Sequence, residues 1–323
     1  MNRCLCCFGP LGTNDPRCKD YPAHGYHRRC AVQLFGTAHA PQLSFSLDDI
    51  EHIGVQVVRS AITIPGVQRK LSLDWQHPDH PRPNDRLTIV GLWGRYILKP
   101  PNTEYSQLPE NEALLMELSR TLGIPTALSG LIPLDSGELC YLVKRFDRNR
   151  DNTKLPMEDF AQISGRLTED KYKGSYDQVA KLMNRYSTQP GIDVVRFYEL
   201  LLYCYVVGNG DMHLKNFALY APNDWDLQLT PAFDLVSTAL VIPEDKDECA
   251  LTLNGKKRKL QVADWLTFAE QAGVAPRAAE KLMQRMVGSS TKIQQKIEQS
   301  LLSDGHKQTL FNVVQQRLRV LKA

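Results

Sequence analysis

Nowhere in its 323 residues does this chain run apolar for the roughly 18 positions that a membrane-spanning helix needs. It also lacks a strong charge of either sign. Its 39 lysines and arginines stand against 36 aspartates and glutamates, a formal net charge of +3, too small by itself to argue for a nucleic-acid partner. No internal repeat and no low-complexity tract occur, so neither a solenoid nor a disordered spacer is expected. The opening residues, MNRCLCCFGPLG, lack the apolar stretch of a secretion signal, and the expected location is the cytoplasm. What is present is an ordinary globular composition, 42% hydrophobic and 23% charged. That is enough for one large domain or two smaller ones.

The eight cysteines are unevenly placed. Cys140, Cys204 and Cys249 stand alone in apolar surroundings and read as small core residues. The other five, Cys4, Cys6, Cys7, Cys18 and Cys30, crowd the first 30 positions. Cys4 and Cys7 form a C-x-x-C; His27 and Cys30 form an H-x-x-C after an interval of nineteen residues. Two such knuckles supply four ligands for a tetrahedral Zn²⁺, and a reducing compartment favours metal over disulfides. Cys6 and Cys18 offer competing ligands, and the alternative is a set of free thiols in a leader segment.

Three segments follow from the composition: a Cys-rich piece over 1–50, a β-rich lobe over 51–147 and a helical lobe over 148–323, an α+β chain. Strands are expected within 61–75, around a Pro-Gly turn, within 86–100 on either side of Gly91 to Gly94, and over 138–148. A helix is expected over 109–125, with Pro109 and Glu110 at its start and Gly123 and Pro125 at its end. Beyond position 155, helices are read at 176–186, 193–209, 260–272, 276–287, 290–302 and 306–321. The second is apolar nearly all round and therefore buried. Asn254-Gly255 lies between strand-like runs and suggests a tight hairpin. Lys256, Lys257, Arg258 and Lys259 then form a solvated arm, or a patch for a polyanion.

The chemistry gathers in VVGNGDMHLKNFALY, residues 206–220. Asp211 and Asn216 are five apart, the offset by which a kinase catalytic loop sets an aspartate on the attacking hydroxyl and an asparagine on a metal ion. Eighteen residues later, in AFDL, Asp234 offers a second hard oxygen ligand for Mg²⁺. Lys215 can neutralise charge on a moving phosphoryl group, and His213 either touches a phosphate or braces the loop. Upstream, Lys99 ends the apolar strand YILK and Glu112 lies on the following helix, the pairing that places a lysine on the α- and β-phosphates. PGVQRK, residues 65–70, allows backbone amides to approach phosphate at Gly66. LVKRFDR would link the lobes and present backbone to an adenine ring. Singly, each has an ordinary explanation: a turn, a helix cap, a snorkelling lysine. Their order along the chain is far more specific than any one of them.

In that order the chain resembles the HipA-type serine/threonine kinase toxins of bacterial toxin–antitoxin loci. The matching segments are ITIPGVQRKLSL, YILKP, ENEALLMELSRTLGI, LVKRFDR, GNGDMHLKNFAL, LTPAFDLVST and LTLNGKKRKL, covering roughly residues 60–260. The resemblance implies a two-lobed, protein-kinase-like fold and an ATP- and Mg²⁺-dependent protein kinase that phosphorylates an aminoacyl-tRNA synthetase and arrests growth. It implies Asp211 as the base and Asn216 and Asp234 as Mg²⁺ ligands. The nucleotide would be held by Pro65, Gly66, Val67, Gln68, Arg69 and Lys70, by Lys99, by Lys144, Arg145 and Phe146 as hinge, and by His213, Leu214, Lys215, Asn216, Phe233 and Asp234. An autophosphorylated serine often precedes the phosphate loop in this family; here Thr63 stands there, and Pro65 fills a second such position. The chain looks like the shorter, split form called HipT. That implies a small HipS-like protein supplying the missing N-terminal subdomain, and a DNA-binding HipB-like antitoxin. Two other readings are a small-molecule phosphotransferase and a catalytically dead, kinase-shaped module bridging an antitoxin complex.

Overall fold

The computed structural model describes residues 3–12, 25–50, 52, 69–77, 85–91, 93–149, 151–223 and 226–322. The expected first strand of the 61–75 pair, most of the phosphate loop, Thr63 and Cys18 lie outside them. Contacts divide the chain into two compact units. One comprises Met1–Glu117, Ala127–Phe146 and Gln299–Leu301; the other comprises Leu118–Thr126, Asp147–Glu298 and Leu302–Ala323.

The first unit is built on a six-stranded sheet of β1 (Gln42–Leu43), β2 (Leu71–Trp75), β3 (Arg86–Ile89), β4 (Tyr96–Lys99), β5 (Ser129–Pro133) and β6 (Leu139–Lys144), in the order β1-β3-β2-β4-β6-β5. All neighbours are antiparallel except β1 and β3. Leu71, Leu73, Tyr96, Leu98 and Leu142 share one buried face of the sheet, and Leu131, Tyr141 and Val143 are buried on the other. Helix α1 (Arg28–Phe35) stops at Gly36, in the left-handed region at φ 77°. It delivers Phe35 against Tyr26, Trp75 and Tyr96. Residues 3–12 and 25–30 are therefore packed into this unit, not appended to it: Phe8 and Tyr26 are buried, and the Leu131 amide donates to the Leu5 carbonyl at 2.8 Å. Helix α2 (Leu108–Thr121) ends earlier than the expected 125, because Gly123 turns the chain at φ 85° before Pro125.

The second unit is mainly helical. It carries the short α3 (Phe160–Ile163), α4 (Tyr176–Tyr186), α5 (Pro190–Val206), a short α6 (Thr238–Val241), α7 (Val262–Ala272), α8 (Pro276–Gly288), α9 (Ser290–Gln299) and α10 (Asp304–Lys322). A three-stranded sheet, β7 (Met157–Asp159), β8 (Ala218–Tyr220) and β9 (Gln228–Leu229), runs antiparallel in that order. Helix α5 is its axis: Phe197, Tyr198 and Tyr205 pack edge or face against Phe217, Phe268 and Trp265. It begins three residues before the expected start because Pro190 suits the first helical turn. It ends three residues early because Gly208 leaves the helix at φ 68°. A Cβ at Gly208 would lie 2.9 Å from a Val313 methyl.

The Asn-Gly turn is as read. Leu253 and Lys256 exchange both backbone hydrogen bonds, and Asn254 and Gly255 both have positive φ, 49° and 77°, the pattern of a type I′ turn. The arm beyond it is solvated as read, with Lys256, Arg258 and Lys259 exposed, though not free of ion pairs. Lys256 forms an ion pair with buried Asp264 at 2.7 Å and Arg258 pairs with Asp247, so two of the four cations are tied down by carboxylates.

Asp193 is fully buried in the first turn of α5. Its carboxylate accepts the Ser187 hydroxyl at 2.6 Å and the Leu229 amide at 2.9 Å. Removing it strands those donors. Asp193→Ala should therefore cost about 3 kcal/mol of stability, read as a lowered denaturation midpoint; an unchanged midpoint would show that water replaces the carboxylate.

Candidate active site

In the second unit the catalytic-loop candidates are shaped by backbone before they are shaped by side chains. After α5 the Asn209 amide reaches back to the Cys204 carbonyl at 2.8 Å, and the buried Asn209 side chain accepts the Asp211 amide at 3.1 Å. The Gly210 amide donates to Thr238 Oγ1 at 2.9 Å. A single 3₁₀ turn, Leu214–Asn216, then feeds β8. The Asn216 side-chain amide donates to the Asp211 carbonyl at 2.8 Å and its backbone N–H to the His213 carbonyl at 3.0 Å. With the amide nitrogen committed inward, the other end of the Asn216 side chain is a carbonyl oxygen, a hard ligand.

Asp234 sits at φ 53°, an unusual conformation for a residue with a side chain, held where Ala232 bridges to Thr126 and donates to the Pro125 carbonyl at 2.8 Å. His213 is buried, and its Nδ1 finds no hydrogen-bond partner among the described residues. Burial holds its imidazole below the usual histidine range, with Lys171 acting the same way and the carboxylates of Asp211 and Asp234 opposing. Both acids are thus within electrostatic reach of one ring.

Two partners were not foreseen. Tyr172 donates its hydroxyl to Asp211 Oδ1 at 2.6 Å and sets its ring edge-on to His213, with centroids 5.0 Å apart. Burial and the adjacent carboxylate raise the phenol above its ordinary range. Lys215 forms an ion pair with Asp159 at 3.0 Å, and Asp159 also caps α3 through a reciprocal pair with Gln162. The Lys215 charge is therefore already engaged by a carboxylate. Neither Tyr172 nor Asp159 stands at a recognisable spacing from Asp211; only the folded chain brings them in.

In the first unit, Lys99 closes β4 and its Nζ lies 2.5 Å from Glu112 Oε1, both side chains almost wholly buried. Tyr141, opposite Lys99 in the β4–β6 register, places its ring 5.4 Å from the ammonium. The sheet continues into Lys144, Arg145 and Phe146, whose first two amides donate to Leu128 and Arg95 carbonyls. Burial, with the nearby Arg95 charge, lowers the Lys144 amine. Of the phosphate-loop candidates, Arg69 and Lys70 are exposed; Pro65, Gly66, Val67 and Gln68 lie outside the described residues.

The profile of the family described as HipA-like C-terminal domain matches residues 62–293. The chain belongs to that family. A Sinorhizobium fredii protein named "Putative kinase Y4dM" is 33% identical over 265 residues, 76% of this chain and 62% of that protein. A Haemophilus influenzae protein named "Putative kinase" is 26% identical over 351 residues, 99% of this chain and 98% of that one. The chain thus spans under two thirds of the first relative and nearly all of the second. Among solved structures, a chain of the Shewanella oneidensis toxin–antitoxin complex of HipA, HipB and operator DNA superposes with a TM-score of 0.67 at 17% identity. That match covers 87% of this chain and 71% of that one. The Helicobacter pylori proinflammatory kinase CtkA gives 0.52 at 18%, covering 70% and 88%. The two-unit α+β fold is therefore HipA-like and kinase-like. No described helix is long and apolar enough to cross a membrane.

The Lys99–Glu112 pair yields a direct test. Truncating one member leaves the other charge buried and unmatched, which costs about 3 kcal/mol or more. Glu112→Ala should lower the denaturation midpoint well beyond Glu112→Gln, which keeps an acceptor for the ammonium. Equal midpoints for the two variants would mean that the charge of Glu112 is immaterial.

Proposed function

We propose that this chain is an ATP- and Mg²⁺-dependent serine/threonine protein kinase, acting as the toxin of a HipA-type locus. The observation that carries the reading is the Asp211 loop. Asn216 is tied by its amide to the Asp211 carbonyl, and Tyr172 holds Asp211 while packing edge-on against the buried His213 ring. The donor set suits the group it would hold: a side-chain carbonyl and a carboxylate are hard oxygens of the kind Mg²⁺ takes alongside phosphate oxygens and water. The buried His213 Nδ1, without a hydrogen-bond partner among the described residues, fits a phosphate or water neighbour. When bound, the metal neutralises charge that builds on the transferred phosphoryl group.

The chain's own residues supply the rest. Asp211 orients the substrate hydroxyl and takes its proton as the oxygen attacks the γ-phosphorus. The bond from that phosphorus to the β–γ bridging oxygen breaks, and ADP leaves. Tyr172 occupies Asp211 Oδ1, which directs the incoming hydroxyl to the other oxygen. Asn216 and Asp234 are the metal ligands. Lys99, aligned by Glu112, holds the α- and β-phosphates. Residues 65–70 cover the phosphates, and Lys144, Arg145 and Phe146 meet the adenine. His213, Leu214 and Phe233 border the nucleotide, and Lys215, braced by its ion pair with Asp159, lies next to Asn216 and faces the phosphates. A translation component such as an aminoacyl-tRNA synthetase is the proposed substrate. A HipB-like antitoxin and a small HipS-like protein are the proposed partners, in a cytoplasmic complex that meets DNA only through the antitoxin. The likeness to the Shewanella chain, solved with HipB and operator DNA, supports the antitoxin.

Asp211→Ala and Asp234→Asn should each lower phosphate transfer from labelled ATP by at least about 1,000-fold with circular dichroism unchanged. Either folded variant at full activity overturns the assignment. Tyr172→Phe, which removes one hydrogen bond to the base, should lower kcat about 5-fold and leave the KM for ATP in place. Thr63 is the proposed autophosphorylation position. Its phosphate, carrying about −1.5 to −2 charges, would oppose the nucleotide phosphates, so Thr63→Asp should weaken ATP binding and relieve growth arrest while Thr63→Ala does neither. Peptide mapping after incubation with ATP locates the phosphate.

A further inference from the structure

We propose that Cys4, Cys7, His27 and Cys30 hold one Zn²⁺ whose task is structural: it staples the N-terminal segment over the outer edge of strand β5. The four ligand atoms all lie within 4.8 Å of one another. Cys7 Sγ is 3.1 Å and Cys30 Sγ 3.9 Å from His27 Nδ1. Tetrahedral coordination at ordinary Zn–S and Zn–N lengths puts neighbouring ligand atoms about 3.5–3.8 Å apart. Small adjustments of side chains already in place would satisfy it.

Three further observations point to a metal and not to a chance cluster of thiols. First, His27 Nε2 lies 3.1 Å from the Pro10 carbonyl oxygen. A carbonyl only accepts, so the hydrogen resides on Nε2 and the Nδ1 lone pair is turned toward the sulfurs, the outer contact that orients metal-bound imidazoles. Second, the backbone forms a knuckle around the first cysteine pair. The Cys4 amide donates to Gly9 O at 2.8 Å, the Phe8 amide to Cys4 O at 2.9 Å with Phe8 at φ 58°, and the His27 amide to Cys4 Sγ at 3.3 Å. A Cβ at Gly9 would stand 3.2 Å from His27 Cε1, so the bare glycine lets the ring in. Third, the structure separates ligands from bystander. Cys6, indistinguishable from them in sequence, falls outside that group of four, and its thiol donates to the Ser129 carbonyl at 3.5 Å. No disulfide links any of the seven described cysteines.

The location supplies the task. Strand β5 is the last of its sheet, and the backbone groups on its outer side need partners. Leu5, between two of the knuckle cysteines, accepts the Leu131 amide at 2.8 Å and donates its own to Gly25 at 2.8 Å, and Tyr26 donates its hydroxyl to the Leu131 carbonyl. A Cβ at Gly130 would meet the Tyr26 hydroxyl oxygen at 2.9 Å and the Leu5 carbonyl oxygen at 3.2 Å. The knuckle and the strand are fitted to each other, so the metal that closes the knuckle also holds the strand's outer edge.

Full-length protein, purified without added metal, should contain about one zinc per chain by elemental analysis. Chelation of the wild-type protein with 1,10-phenanthroline should remove it, lower the thermal midpoint by more than about 5 °C and speed hydrogen exchange at the Leu131 amide. Added ZnCl₂ should reverse all three. Cys4→Ser with Cys7→Ser should abolish zinc retention, and Cys6→Ser should keep it. Absence of metal, another metal at one equivalent, or a midpoint and Leu131 exchange rate indifferent to zinc removal would overturn the proposal. So would equal zinc loss in Cys6→Ser. None of these readouts depends on kinase activity, so the zinc assignment stands or falls separately from the catalytic one.

Discussion

An ammonium and a carboxylate buried 2.5 Å apart, Lys99 against Glu112, set the terms for the first unit. Drawing two such ions out of water costs several kcal/mol each, and their attraction in the interior scarcely exceeds that cost. The pair is therefore poorly explained as a source of stability. What it secures is position. The lysine ends a central strand, the glutamate occupies a helix turn, and Tyr141 closes over the ammonium from the neighbouring strand. A long flexible side chain is reduced to one placement, at the cost that either partner alone would be stranded. A cation held ready for an anionic ligand requires that arrangement.

The second unit solves a parallel problem with hydrogen bonds. The Asp211 loop contains little regular structure, yet it is closed at every step. Asn209 returns to α5 and caps the Asp211 amide, Thr238 takes Gly210, and Asn216 takes the Asp211 carbonyl. A loop whose polar groups are consumed internally leaves few rearrangements open, so its carboxylate keeps its bearing without an adjoining helix. Asp234 carries the opposite signature, a backbone strained to positive φ and retained where the surrounding bonds over-determine it.

Much of this was legible before folding. Helix periodicity located α2, α4, α5 and the C-terminal helices, and only their ends moved; at Pro190, Gly208 and Gly123 a proline or a left-handed glycine sets the boundary. The Asn-Gly pair announced its turn type, and the C-x-x-C and H-x-x-C pairs announced their convergence, because both signals are local. The partners across the fold were not legible. Tyr172 is 39 residues from Asp211, Asp159 is 56 from Lys215 and Leu5 is 126 from Leu131. No periodicity links positions so far apart, and an isolated tyrosine between two lysines looks like any surface loop. Cys6 illustrates the same limit: nothing in the sequence sets it apart from the four residues that converge.

The buried carboxylate of Asp193 has a consequence for how the second unit moves. It bonds at once to the segment before α5 and to the backbone of β9, 36 residues away. Strand β9 pairs with β8, and β8 begins directly after Asn216 and Phe217. Opening the small sheet therefore means uncovering a charge in the first turn of the central helix, and fraying that helix means releasing the sheet. Helix, sheet and loop should thus open as a single cooperative unit and not piecemeal. The loop's low mobility would then be inherited from the deepest helix of the unit, although its own sequence is rich in glycine.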